Sequence, residues 1–195
     1  MKVKICGVTN LSDAVMCEDM GADAVGFVHF PGRLRSIPLG LISEICSTMG
    51  PMTTKVLVCA PSGQDHAVEL ASSCGVDAIQ LYTMSPEQLN DIRETGVKVM
   101  RVIRPDRALA LEFVDSVDAL VFEGGEPGMG TTYDYSSIPV DCCPRAIIAG
   151  GLNPTNLSLA KALRPYALDV SSGVERSPGK KDPDMVYEFV RRCKE

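Results

Sequence analysis

Tryptophan is absent from this sequence, and histidine occurs only at His29 and His66. The sequence has no HxH, HExxH or CxxC motif, the closely spaced ligand patterns from which zinc sites are usually built. Positive charge is also scarce, because 19 lysines and arginines face 25 acidic residues and leave a net charge of −6. No apolar run approaches the roughly 20 residues of a membrane span. We therefore expect no metal site, no nucleic-acid or membrane partner, and a small-molecule ligand.

Cysteine is plentiful, with eight residues, but its spacing does not suggest disulfides. Cys142 and Cys143 are adjacent and cannot easily pair with each other, and no signal peptide precedes the first predicted strand. These features predict reduced thiols in a cytoplasmic protein. The 195 residues, 45% of them hydrophobic, fit one domain over residues 1–195.

The first predicted strand ends at a cysteine. Val3 and Ile5 alternate with lysines, Cys6 follows, and Gly7 permits a tight turn before a helix that Asn10 or Ser12 could cap. Cys6 therefore lies where a strand passes into a helix, which is where α/β proteins place their chemistry. A small buried core cysteine is the alternative explanation.

A short sequence motif, typical of the end of a helix followed by a buried strand, occurs three times. Its spacing of 54 and then 41 residues between the shared aspartates leaves room for two strand–helix units in each interval. The three copies are Gly21-Ala-Asp-Ala-Val-Gly-Phe27, Gly75-Val-Asp-Ala-Ile-Gln-Leu81 and Ser116-Val-Asp-Ala-Leu-Val-Phe122.

This spacing predicts eight parallel strands with helices between them, a capping box at Ser85–Gln88 and a helix start at Asn153-Pro154. The fold class is α/β, a compact (β/α)8 TIM barrel with a parallel eight-stranded core, and an open doubly wound sheet is the alternative. The predicted strands are 2–6, 24–30, 54–59, 78–82, 98–103, 119–123, 145–149 and 167–170.

The loops after strands seven and eight have the character of phosphate sites. Strand seven runs into Gly150 and Gly151, and strand eight runs into Ser172 and Gly173. Glycines let the backbone approach an anion closely, and these two loops are the usual phosphate cradle of such barrels. Each pattern alone also fits an ordinary turn, but their corresponding positions favour phosphate.

Charged side chains follow two other strands. Arg35, with Arg33 as its rival in the same loop, could clamp a carboxylate or phosphate, although a solvated loop arginine is the alternative. Glu123 ends strand six and is the candidate acid, whereas Asp118 precedes that strand and belongs at the opposite end of the barrel. The following glycine-rich loop, 124–130, could close over a ligand and contains a second candidate acid, Glu126.

From end to end, the ordered motifs of the chain resemble those of the phosphoribosylanthranilate isomerases, enzymes of tryptophan biosynthesis that perform an Amadori rearrangement. The matching segments are Lys4-Ile-Cys-Gly-Val-Thr9, Gly21-Ala-Asp-Ala-Val-Gly-Phe27, Gln80-Leu81, Gly128-Met-Gly-Thr-Thr-Tyr-Asp-Tyr135, Ala149-Gly-Gly-Leu-Asn-Pro154, Asp169-Val-Ser-Ser-Gly-Val-Glu175 and Pro178-Gly-Lys-Lys-Asp182.

The resemblance implies that Cys6 is the general base and that the acid closes strand six, the position of Glu123. It also implies an isomerisation of N-(5-phosphoribosyl)anthranilate to 1-(2-carboxyphenylamino)-1-deoxyribulose 5-phosphate, and no cofactor. The oligomeric state stays open between a monomer and a homodimer. The substrate contacts that it implies are Arg35 for the anthranilate carboxylate, Gln80 on strand four, and Gly150, Gly151, Ser172 and Gly173 for the phosphate.

Two departures from the family pattern lie near the reacting end. Glu123 stands where the family usually has aspartate, in front of a shortened loop, and Tyr82-Thr83 replaces the usual His-Gly. These departures leave two alternatives open. One is an isomerase of a related phosphoribosyl or aminoaldose phosphate, and the other is a non-catalytic phosphosugar-binding barrel.

Overall fold

Eight parallel strands close into a barrel in the computed structural model, which describes residues 1–125 and 130–195. Each strand pairs with its neighbours in chain order, and β8 closes the ring on β1, with Val3 opposite Leu168. The predicted barrel and all eight strands are confirmed. The strands are β1 Lys2–Ile5, β2 Ala24–His29, β3 Thr54–Cys59, β4 Ala78–Leu81, β5 Lys98–Ile103, β6 Ala119–Glu123, β7 Ala146–Ala149 and β8 Ala167–Val170.

Helices between the strands cover the outside of the barrel. Asn10 caps the first by accepting the Asp13 N–H, and Ser85 and Gln88 form the predicted capping box of the fourth. The helices are α1 Leu11–Asp19, α2 Leu39–Thr48, α3 Gln64–Cys74, α4 Pro86–Glu94, α5 Arg107–Phe113, α6 Leu157–Lys161 and α7 Pro183–Lys194. None of the helices within the described ranges is both long and apolar enough to cross a bilayer.

Two helix predictions need correction. The described residues between β6 and β7 form only the 3₁₀ turns Tyr135–Ser137 and Val140–Cys142, so no α-helix is found there. Pro139 and Pro144 account for this, because each lacks an N–H and restricts the residue before it. The helix predicted to begin at Asn153-Pro154 begins instead at Leu157, and the Asn153 side chain caps a preceding turn through Thr155 and Asn156.

The three recurring aspartates share one structural role at the amino end of the barrel. Asp23 donates its N–H to the Val3 carbonyl and accepts the Val3 N–H on its carboxylate. Asp77 makes the same reciprocal pair with Lys55, and Asp118 makes it with Val99. The aspartate of each repeated motif therefore hydrogen-bonds the strand that follows it in sequence to the strand that precedes it. Asp118 lies at the end of the barrel opposite Glu123.

Side chains alternate along each strand between the barrel interior and the surrounding helices. The main core, which includes Phe27, Leu57 and Phe122, packs between sheet and helices. The lower interior is lined by small residues, among them Ala24, Ala78, Ala119 and Ala167. Beyond β8, the antiparallel pair β9 Glu175–Ser177 and β10 Lys180–Lys181 brings Lys181 to the carboxyl end of the barrel.

Candidate active site

Cys6 lies at the carboxyl end of β1, directly above Lys4 in the two-residue alternation of the strand. Its N–H donates to the Val170 carbonyl at 2.8 Å, which fixes the backbone against β8, and its side chain is half-buried. Gly26 on β2 faces this thiol, and a Cβ there would lie 2.9 Å from Cys6 Sγ and 3.1 Å from Lys4 Cε. The absence of a side chain at Gly26 therefore leaves room for the Cys6 thiol and the Lys4 side chain.

A buried ion pair lies beneath the thiol. Lys4 Nζ donates to Asp169 Oδ2 at 2.7 Å, with only 3% and 5% of the two side chains exposed. Burial alone would lower the pKa of Lys4, but the neighbouring Asp169 carboxylate raises it above its usual value. The lysine is therefore a fixed positive charge whose field acts on the Cys6 thiol.

The Cys6 thiol titrates under opposing influences. Burial raises its pKa above the usual range, since a thiolate loses hydration there, and the charge of Asp169 acts in the same direction. The Lys4 ammonium opposes both effects through its positive charge. Lys4 thus makes a thiolate attainable at a position where burial alone would suppress it.

Glu123 is the last residue of β6 and is half-buried at the same end of the barrel. The Tyr82 hydroxyl donates to Glu123 Oε2 at 3.2 Å. Burial and the nearby Asp169 charge raise the pKa of the carboxyl group, while the Tyr82 hydrogen bond and Lys4 oppose that rise. A carboxyl group with a raised pKa, in contact with a barrel interior that also holds a thiol, is suited to donate a proton.

Arg35 is half-buried, whereas Arg33 in the same loop is exposed. The Arg35 guanidinium makes a two-point ion pair with Glu175, through Nε to Oε1 at 2.9 Å and Nη2 to Oε2 at 2.7 Å. Lys181, fully buried, donates to Glu175 Oε1 at 2.9 Å, to the Cys6 carbonyl at 2.6 Å and to the Ser171 carbonyl at 3.2 Å. One lysine therefore connects the arginine loop to the backbone of the candidate base.

The predicted phosphate loops are packed against each other. Gly150 and Gly151 have φ of +93° and +65°, and a Cβ on Gly151 would lie 2.7 Å from the Thr131 carbonyl carbon. A Cβ on Gly173 would overlap the Leu152 carbonyl oxygen, and one on Gly130 would lie 2.8 Å from Ser172 Oγ. The glycines therefore allow the loops after β6, β7 and β8 to converge at one rim of the barrel.

Gln80 is 3% exposed on β4 and lies on the interior face. Its Oε1 atom and Oδ1 of Asp169 are buried and accept no hydrogen bond from the described residues. Buried acceptors without donors are costly, so these two oxygens are suited to accept hydrogen bonds from ligand hydroxyls or water. Within the described ranges, no group of three histidine, cysteine or acidic residues has the arrangement of a metal site.

The sequence did not reveal four of these groups: Lys4, Asp169, Glu175 and Lys181. A signal existed for Lys4, because strands of a parallel barrel are buried on both faces, so a lysine in such a strand must find a buried partner. Glu126, the second candidate acid, lies outside the described residues.

Replacing Gly26 by alanine tests the close packing around the thiol. Since the new methyl group would lie against Cys6 Sγ and Lys4 Cε, we expect urea denaturation to show a loss of about 1–3 kcal/mol in the free energy of unfolding. Gly40→Ala in α2 is the matched control, because a Cβ there meets open space and should stabilise the helix by about 0.4–1 kcal/mol. Equal stability changes in the two variants would contradict this account.

Comparison with known proteins gives a single picture. A family model described as N-(5'phosphoribosyl)anthranilate (PRA) isomerase matches residues 3–192. A protein from Geobacter sp. (strain M21) named N-(5'-phosphoribosyl)anthranilate isomerase is 37% identical over 200 residues, covering 99% of this chain and 98% of that protein.

Solved structures agree over the whole chain. A phosphoribosyl anthranilate isomerase in complex with reduced 1-(o-carboxyphenylamino)-1-deoxyribulose 5-phosphate has a TM-score of 0.89 at 33% identity, covering 100% of this chain and 98% of that one. A structure of monomers generated from the dimeric enzyme of Thermotoga maritima has the same TM-score, identity and coverage.

Proposed function

Since the chain belongs to the N-(5'-phosphoribosyl)anthranilate isomerase family, we propose that Cys6 and Glu123 are the base and acid with which it isomerises N-(5'-phosphoribosyl)anthranilate. The reaction is the isomerase step of tryptophan biosynthesis. One observation carries the residue assignment: a thiol and a carboxyl group lie at the carboxyl ends of β1 and β6, at the same end of the barrel, where the charges of the buried pair Lys4–Asp169 act on both.

Proton transfer begins at Glu123. The carboxylic acid donates its proton to the ribose ring oxygen, the C1′–O bond breaks, and the nitrogen lone pair forms a Schiff base with C1′. The Cys6 thiolate then removes the C2′ proton, and the electrons of that C–H bond form an enolamine. Tautomerisation gives the 1-deoxyribulose product. Glu123 has lost one proton and Cys6 has gained one, so returning that proton to Glu123 resets the site.

Lys4 provides what the base requires. A free thiol has a pKa of about 8.5, so little thiolate is present near neutral pH without help. The Lys4 ammonium, held by Asp169 below the thiol, stabilises the thiolate relative to the thiol through its charge. Its buried position keeps that charge unscreened by solvent.

The substrate's two anionic ends fit two sets of loops on the same rim of the barrel. The converging loops at Gly150, Gly151, Ser172 and Gly173 hold the phosphate through backbone N–H groups and the serine hydroxyl. Arg35, oriented by Glu175, contacts the anthranilate carboxylate. On the interior face of β4, Oε1 of Gln80 accepts a hydrogen bond from a sugar hydroxyl group.

The proposed setting is the cytoplasm, and the proposed assembly is a monomer or a homodimer without nucleic-acid or membrane partners. All eight cysteines are free thiols, which fits a reducing compartment. The dimeric relative from Thermotoga maritima supports the homodimer as one of the two states.

Turnover of freshly generated phosphoribosylanthranilate tests the function. We expect the wild-type protein to remove the substrate's fluorescence at a rate proportional to enzyme concentration, with saturation. Other phosphoribosyl and aminoaldose phosphates should be converted with kcat/KM lower by about 100-fold or more, because they lack the carboxylate that Arg35 would bind. A folded protein that binds phosphoribosylanthranilate in calorimetry without converting it would contradict the proposal.

A further inference from the structure

Tyr82 connects two parts of the site that the proposed mechanism uses separately. It follows β4, and its side chain packs against the interior cluster of buried residues that includes Val102 and Val121. Its hydroxyl reaches Glu123, and its ring meets Phe30 edge to face, with ring centroids 5.9 Å apart and an angle of 84°. Phe30 begins the loop that carries Arg35.

The Phe30 end of this contact is itself fixed. The Phe30 N–H donates to Ser36 Oγ at 3.0 Å, and the Ile37 N–H donates to the Val28 carbonyl at 2.9 Å. These bonds hold the start and end of the loop together across Arg35. The Tyr82 ring therefore packs against a residue whose backbone is held by hydrogen bonds. This packing restricts the position of the Tyr82 hydroxyl.

The Tyr82–Glu123 hydrogen bond distinguishes the two carboxyl oxygens of Glu123. A neutral carboxylic acid donates from one oxygen and accepts on the other. Because the Tyr82 hydroxyl donates to Oε2, Oε1 is the oxygen that carries the acid proton. Burial raises the pKa of Tyr82 far above its usual value, so the phenol remains a donor throughout the working pH range.

Glutamate needs such a restraint more than aspartate does. Its extra methylene adds a rotatable bond, and a displacement of about 1 Å in a reacting group can cost on the order of 100-fold in rate. We propose that Tyr82 is a positioning residue that holds Glu123 with its proton on Oε1, aimed at the ring oxygen of the substrate. This inference rests on the proposed role of Glu123 as the acid and adds the group that makes a glutamate effective there.

A double-mutant cycle tests the proposal. We expect Tyr82→Phe, which keeps the ring and its contact with Phe30, to lower kcat about 10-fold while KM changes by less than about twofold. In a Glu123→Asp background the same substitution should change kcat by less than about twofold, because the shorter side chain no longer reaches the hydroxyl. Tyr187→Phe, at an exposed position on α7, is the matched control and should leave both constants unchanged.

Three results would overturn the proposal. The first is an equal loss of kcat in the glutamate and aspartate backgrounds. The second is a Tyr82→Phe variant with altered KM but full kcat. This result overturns the proposal even if the Glu123→Asp variant is inactive and the cycle cannot be completed. The third is a Tyr82→Phe variant whose only change is a displaced pH profile, since Tyr82 would then tune the carboxyl group without positioning it. Failure of the underlying proposals is distinguishable: a wild-type protein without turnover would contradict the function, and full kcat in Glu123→Gln would contradict the acid role of Glu123.

Discussion

Cys6→Ala is expected to lower kcat by about 10²–10⁴-fold, because no other described group at the end of β1 can take the C2′ proton. KM should change much less, since the phosphate and carboxylate contacts lie on other loops. The measurement is the loss of phosphoribosylanthranilate fluorescence at saturating substrate, with circular dichroism to show that the variant is folded.

Two further variants make this experiment decisive. Cys6→Ser keeps the side-chain volume but replaces the thiol with a hydroxyl that does not ionise near neutral pH, so it should be nearly as slow as Cys6→Ala. Cys142→Ala removes a thiol from the 3₁₀ turn Val140–Cys142 and should retain full kcat. A folded Cys6→Ala variant with wild-type kcat would remove Cys6 from the mechanism.

The barrel could be predicted from the sequence because its determinants are local. Each strand is a short apolar run with a turn signal before it, and three runs carry the same aspartate, which the structure shows pairing with the preceding strand. The prediction of an α-helix between β6 and β7 was wrong for a local reason as well. Its prolines at 139 and 144 interrupt any helical run, and 3₁₀ turns occupy the space instead.

The site was predictable only in part, because strand ends can be read from the sequence and cross-barrel contacts cannot. Cys6 and Glu123 follow from their places at the ends of β1 and β6. The Lys4–Asp169 pair joins residues 165 positions apart, and Lys181 reaches the Cys6 carbonyl across 175 positions. Closure of the ring creates both contacts, so the charge that assists the thiol emerges only with the folded barrel.

The pH dependence of the reaction follows from the order of two pKa values. The reaction needs a protonated acid and a deprotonated base. Burial raises the pKa of the Cys6 thiol above its usual range. The pKa of the Glu123 carboxyl group is also raised, but it starts from a much lower value and stays below that of the thiol. Because the pKa of a thiol lies well above that of a carboxyl group, only a small fraction of molecules has thiolate and carboxylic acid together. The active form is therefore a minority proton arrangement at every pH.

Wild-type kcat/KM is expected to be flat between the two pKa values and to fall at pH above the Cys6 pKa. As pH rises across the plateau, thiolate increases about tenfold per unit while protonated Glu123 decreases by the same factor, so their product is constant. Measurements from about pH 7 upward avoid the second phosphate ionisation of the substrate, near pH 6.

Glu123→Gln should lower kcat/KM by about 10²-fold or more at pH 7, and its residual activity should no longer be flat. The amide does not titrate, so only the thiolate fraction remains, and kcat/KM should rise about tenfold per pH unit until the Cys6 pKa is passed. The deficit relative to wild type must therefore shrink as pH rises, provided that circular dichroism shows a folded variant across the range. If the kcat/KM of Glu123→Gln is also independent of pH, the acid that loses its proton as pH rises must be another residue. Glu123 would then not be the acid.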